Sequence, residues 1–96
     1  METSGQRFKK IRLNKSLSQG DFGEKIGLSK SAVSAVENDK SFVSLEILRT
    51  LFLEFDVNLN WLITGTGNMF NAPKYESVKD EIMEQVKKML DDRGVK

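Results

Sequence analysis

The twenty residues from Gln19 to Asn38 constrain this chain most, because small, apolar, glycine and apolar positions alternate there in an order few folds require. The run reads as two short helices joined by a glycine-led turn. Phe22 and Ile26 are four apart and share one face of the first helix of the pair. Gly23, on the same side, lets the second helix approach closely. Gly27 gives the freedom a helix stop needs, and Leu28 follows as an apolar plug. Ser29 suits the N-cap of the next helix, whose Ala32, Val33 and Val36 form an inward face.

The remaining pattern is helical as well. Thr3 to Gln6 has capping-box spacing, which predicts a first helix from about Ser4 to Lys15 with Phe8 and Ile11 inward. Ser18 and Asp21 mark the next start. Ser44 caps a fourth helix in which Leu45, Leu48, Leu51, Phe52 and Phe55 recur at helical spacing. Asn58 caps a short fifth helix stopped by Gly65, with Trp61, Leu62 and Ile63 assigned to the core. Thr66–Ala72 reads as a linker, and Pro73 sits at the first turn of a sixth helix reaching about Arg93. No stretch alternates like a strand. The expected fold is all-α: five helices in a domain over residues 1–70, then a C-terminal amphipathic helix over 71–96.

Composition removes several function classes. The chain has no cysteine and no histidine, so most metal sites and most nucleophile–base pairs cannot be assembled. Its Ser and Lys residues form no recognisable catalytic arrangement, so neither catalysis nor a cofactor is expected. No apolar run approaches the roughly 20 residues of a membrane span, and a cytoplasmic location is expected. Net charge is only +1, but residues 1–40 carry eight Lys/Arg against five Asp/Glu, while residues 41–73 carry one against three. The positive charge lies with the two-helix motif, where contact with a polyanion would need it.

The chain resembles the helix-turn-helix domain of phage-type (Cro/CI-type) repressors and the related XRE regulators. The resemblance spans about Arg7 to Phe70. It is carried by Phe8-Lys9-Lys10-Ile11-Arg12, Leu17-Ser18-Gln19, Gly27-Leu28-Ser29, Val33, Val36-Glu37-Asn38, Ser44-Leu45-Glu46 and Trp61-Leu62-Ile63-Thr64-Gly65. Gly23 stands where alanine is usual, Asp39 where glycine commonly follows Glu-Asn, and Val43 where proline often precedes Ser-Leu-Glu. What the resemblance implies is a transcriptional regulator that places its third helix in the DNA major groove.

On that helix Lys30, Ser31, Ser34 and Ala35 fan across the outward side and are the expected base-reading residues. Lys30 suits guanine O6 or N7, the two serines can donate or accept, and Ala35 suits a thymine methyl. The resemblance puts Gln19 on the DNA backbone and pairs Arg12 with Glu37 as a structural salt bridge. Asn38 and Lys40, in the loop after the third helix, are further backbone candidates, as are Arg7 and Asn14 on the first helix.

One helix reads only about four or five base pairs, so a dimer on a palindromic operator is expected. Tyr75, Val78, Ile82, Val86, Met89 and Leu90 form an apolar stripe suited to that homodimer. The competing reading is a protein-interaction module, such as an antitoxin or anti-regulator, acting through the same C-terminal helix.

Overall fold

Every helix among the described residues begins at a side chain able to accept from its first free backbone N–H groups. In the computed structural model, which describes residues 2–71, α1 (Ser4–Asn14), α2 (Gln19–Ile26), α3 (Lys30–Glu37), α4 (Leu45–Phe55) and α5 (Leu59–Thr64) follow the caps Thr3, Ser18, Ser29, Ser44 and Asn58. The capping box is complete, with Gln6 N donating to Thr3 Oγ1 at 3.1 Å and Thr3 N to Gln6 Oε1 at 2.9 Å. The sixth helix expected from Pro73, with Tyr75, Val78, Ile82, Val86, Met89 and Leu90, lies outside the described residues.

Phe22 is the centre of the core. It is fully buried, 5.3 Å from the Phe8 ring and edge-on to Phe55 at 5.7 Å. Ile11, Val33, Leu51 and Val57 are fully buried around it. Gly27 ends α2 at φ 88°, and α3 then folds back against α2. A Cβ on Gly23 would overlap the Leu28 carbonyl and crowd Val33, so the turn between α2 and α3 requires a glycine there.

Helix α4 departs from the expected pattern. Leu45 and Phe52 are exposed (81% and 47%), and Ile47 is buried in their place. The face that α2 covers runs through Ile47, Leu51 and Phe55, one helical step apart. Leu45 is the first residue of its helix and is left exposed by the described elements. Ile63 is likewise 60% exposed, because α5 is under two turns long and turns Trp61 and Leu62 inward.

The Thr66–Ala72 stretch is not a free linker as far as it is described. Asn58 N donates to the Met69 carbonyl at 2.9 Å, and Asn71 N to the Asp56 carbonyl at 2.8 Å. Val57 and Phe70 form an antiparallel bridge, and Lys15 Nζ stands 4.6 Å above the Phe70 ring. The fold therefore continues through Asn71.

Asp39 explains its own departure from glycine. It adopts φ 59°, a left-handed conformation that aspartate tolerates better than most residues. From there its carboxylate accepts from Gly5 N at 3.0 Å and from Thr3 Oγ1 at 2.6 Å, at the positive end of α1. Gly5 has no room for a side chain, since a Cβ would overlap the Val36 carbonyl and this carboxylate. Asp39→Ala removes both bonds and leaves an alanine in the left-handed region. Stability should fall by about 2 kcal/mol in urea unfolding; an unchanged midpoint would mean that water caps α1 equally well.

Candidate nucleic-acid interface

Helix α3 is only eight residues long, so its geometry is imposed by what it packs against. Val33 and Val36 anchor its inner side, 0% and 7% exposed. On the outer side Lys30 and Ser31 are exposed, and Ser34 and Ala35 are half-buried. Ser29, Lys30, Ser31 and Ser34 line one shallow cleft together with Gln19 from the first turn of α2. The fold thus brings the N-terminal ends of two helices to one concave surface, an arrangement suited to an anion or a phosphate backbone.

Beneath that surface lies a braced ion pair. Arg12 Nε donates to Glu37 Oε2 at 2.6 Å and Nη2 to Oε1 at 3.2 Å, while Nη1 donates to the Leu17 carbonyl at 2.9 Å. Gln19 Nε2 adds a third donor to the carboxylate, 3.1 Å from Oε1. Arg12 and Glu37 are 8% and 6% exposed. Burying two charges is costly unless both are paired and hydrogen-bonded, and here both are. The bonds join α1, the start of α2 and the end of α3, fixing the tilt at which α3 is offered. Glu37 uses one of the two N–H groups of Gln19 and leaves the other for a ligand.

The remaining candidates divide. Lys40 is exposed, in the turn closed by its own N–H donating to the Ala35 carbonyl at 2.9 Å. Asn38 is exposed but folds back on α3, its Nδ2 donating to the Ser34 carbonyl at 2.8 Å. Asn14 is exposed at the end of α1, and no hydrogen bond or ion pair among the described residues ties it to the cleft.

Arg7 is removed from the backbone-contact set. It is 6% exposed, and its Nε and Nη2 donate to the Leu62 and Ile63 carbonyls at 2.8 and 3.1 Å. The guanidinium caps the negative end of α5, and Nη1 donates to the Glu2 carbonyl at 3.1 Å. Glu2 also pairs with Lys10, and that hydrogen bond holds its carboxyl below the usual carboxylate range. Lys15 and Lys25 line a separate cleft with Arg49, where Glu46 and Glu54 interleave.

The Asp39 cap and the Gln19–Glu37 bond have no signal in the sequence, because their partners lie 34 and 18 residues away, beyond any local pattern. Among the described residues no cluster of three or more metal-ligating side chains occurs, and no helix is long and apolar enough to cross a membrane.

Comparison with known proteins agrees with this geometry. Residues 5–68 match the sequence model of a helix-turn-helix domain, two thirds of the chain, and the chain belongs to that family, in its XRE-type branch. The fold is shared with the phage P22 c2 repressor, solved with a synthetic operator: TM-score 0.63 at 23% identity, covering 69% of this chain and all of that one. A chain from a SinR–SinI protein complex aligns at TM-score 0.56 and 25% identity, covering 94% of this chain and 93% of its own. A search of curated proteins gives no match. The protein is a DNA-binding transcriptional regulator by family, a class of regulators rather than of enzymes.

The two buried arginines can be tested together. Arg12→Ala leaves the Glu37 carboxylate buried with Gln19 alone, a loss of about 3–5 kcal/mol. Arg7→Ala should also lower the melting temperature, without changing the salt dependence of DNA binding. An Arg7→Ala protein of normal stability and shallower salt dependence would return Arg7 to the DNA.

Proposed function

We propose that this chain is a sequence-specific double-stranded DNA-binding regulator, a dimeric cytoplasmic repressor that lays α3 in the major groove of a palindromic operator. The observation that carries the reading is the cleft of Gln19, Ser29, Lys30, Ser31 and Ser34, held rigidly by the Arg12–Glu37 pair. Lys30, Ser31, Ser34 and Ala35 read base edges, while Gln19 and Lys40 contact the backbone, with Asn14 at the margin. The P22 c2 repressor, whose fold this chain shares, was solved on a synthetic operator, which supports the same target here. Occupying a promoter is then enough to repress.

Binding to duplexes should weaken with added salt. Lys30→Ala or Ser31→Ala should change the preferred sequence, at a cost of about 1–3 kcal/mol if either makes a good base contact. Gln19→Ala or Lys40→Ala should weaken binding to all sequences alike, with Lys40→Ala reducing the salt slope by about 1. Fluorescence anisotropy on specific and scrambled duplexes measures both. If Lys30→Ala keeps the preferred site and affinity, the reading face lies elsewhere.

Two-fold symmetry is what a palindrome demands, with half-sites about one helical turn apart. The stripe Tyr75, Val78, Ile82, Val86, Met89 and Leu90 supplies the sequence pattern for a dimer seam. Removing residues 74–96 should yield a monomer in sedimentation, with weakened operator binding and unchanged helicity per residue in α1 to α5. A truncated protein that remains a dimer would move the interface to the apolar groove lined by Phe42 and Ile63, exposed by 92% and 60%.

That groove and the SinR–SinI neighbour, a complex of two proteins, favour a second reading, an interaction module acting on another protein. Duplex binding that is feeble and indifferent to salt would favour it over DNA reading.

A further inference from the structure

We infer that Asn38 sets the polarity of the reading face, making α3 a surface of hydrogen-bond donors matched to guanine edges in the major groove. The inference rests on the base-reading role proposed above and specifies what is read.

Asn38 Nδ2 lies 2.8 Å from the Ser34 carbonyl and 3.4 Å from Ser34 Oγ. An amide oxygen in that place would face a carbonyl oxygen, so the nitrogen is fixed there. An NH2 group has no lone pair to offer, and Ser34 Oγ can only accept from it. The hydroxyl proton of Ser34 is left over.

The usual internal acceptor for such a proton is the carbonyl four residues earlier in the helix. Thr50 and Thr64 use it, donating to the Glu46 and Asn60 carbonyls at 3.1 and 2.6 Å. Ser34, among the described residues, makes no such bond; its only side-chain partner is Asn38. The proton is therefore available to the cleft that Ser34 lines.

Lys30 stands one turn earlier on the same side and is exposed, an ammonium with three donors and no acceptor. Between them Ser31 pairs only with Ser29 Oγ at 3.3 Å, an oxygen that already accepts from Ala32 N at 3.1 Å. Donors thus lead at positions 30 and 34. In the major groove guanine offers two adjacent acceptors, N7 and O6. Adenine offers one acceptor beside a donor, and cytosine a donor. Asn38, assigned from sequence to the backbone, becomes a positioning residue for Ser34.

The test begins with selection from random duplexes by the full chain, followed by anisotropy on the recovered site. Guanine should recur in each half-site, and 7-deazaguanine at those positions, which lacks only the N7 acceptor, should lower affinity about tenfold. Ser34→Ala should narrow the guanine-over-adenine preference at one base pair. Asn38→Ala should do the same at that pair while leaving affinity for scrambled duplex unchanged, and the double variant should lose nothing more. Equal loss on every duplex in Asn38→Ala would make it a phosphate contact and overturn the inference. A recovered palindrome with only A·T pairs facing α3, or one whose affinity 7-deazaguanine leaves unchanged, would overturn it too, while sparing the DNA-reading proposal. Salt-independent binding to no preferred duplex would sink both.

Discussion

The Arg12–Glu37 pair is the contact on which the arrangement of this domain depends. It is the point where α1, the start of α2 and the end of α3 meet through side chains rather than through apolar packing alone. Apolar contacts are forgiving in direction; a two-point guanidinium–carboxylate contact with a third donor from Gln19 is not. An eight-residue helix does not hold its own orientation in water. What the pair supplies is a fixed angle between α3 and the body of the domain, at the expense of keeping two charges out of water.

The same economy shapes the cations. Eight Lys/Arg in the first forty residues suggest a broad basic face. Arg7 and Arg12 are instead consumed inside, one as the cap of α5 and one as the brace of α3. Lys10 answers Glu2, and Lys15 lies over Phe70. Lys30 and Lys40 remain where α3 and its following turn are exposed. Counting charges overstates the basic surface, because arginine's fork of donors is also the best partner for buried carbonyls and carboxylates.

Asp39 and Gly5 show how a departure from a family pattern can be compensated. A glycine after Glu-Asn accepts a left-handed backbone without strain. Asp39 accepts the same conformation and gains two hydrogen bonds to the N-terminal turn of α1, which approaches closely because position 5 has no side chain. The turn after α3 is thereby tied to α1 from a second direction.

The sequence by itself determined the five described helices, since caps, stops and apolar spacing act within one or two turns. Thr3, Ser18, Ser29, Ser44 and Asn58 all cap where they stand, and Phe22, Gly23, Ile26 and Val33 form the α2–α3 contact that their spacing implies. The family pattern also named the Arg12–Glu37 pair. Only the tertiary structure decided which apolar residues of α4 and α5 are covered, that the chain stays anchored through Asn71, and that Arg7 turns inward. Each of these turns on a partner far along the chain. Helical periodicity fixes which residues share a face, but the neighbour that covers the face is set by packing, and a long flexible cation goes wherever the nearest unpaired carbonyls lie.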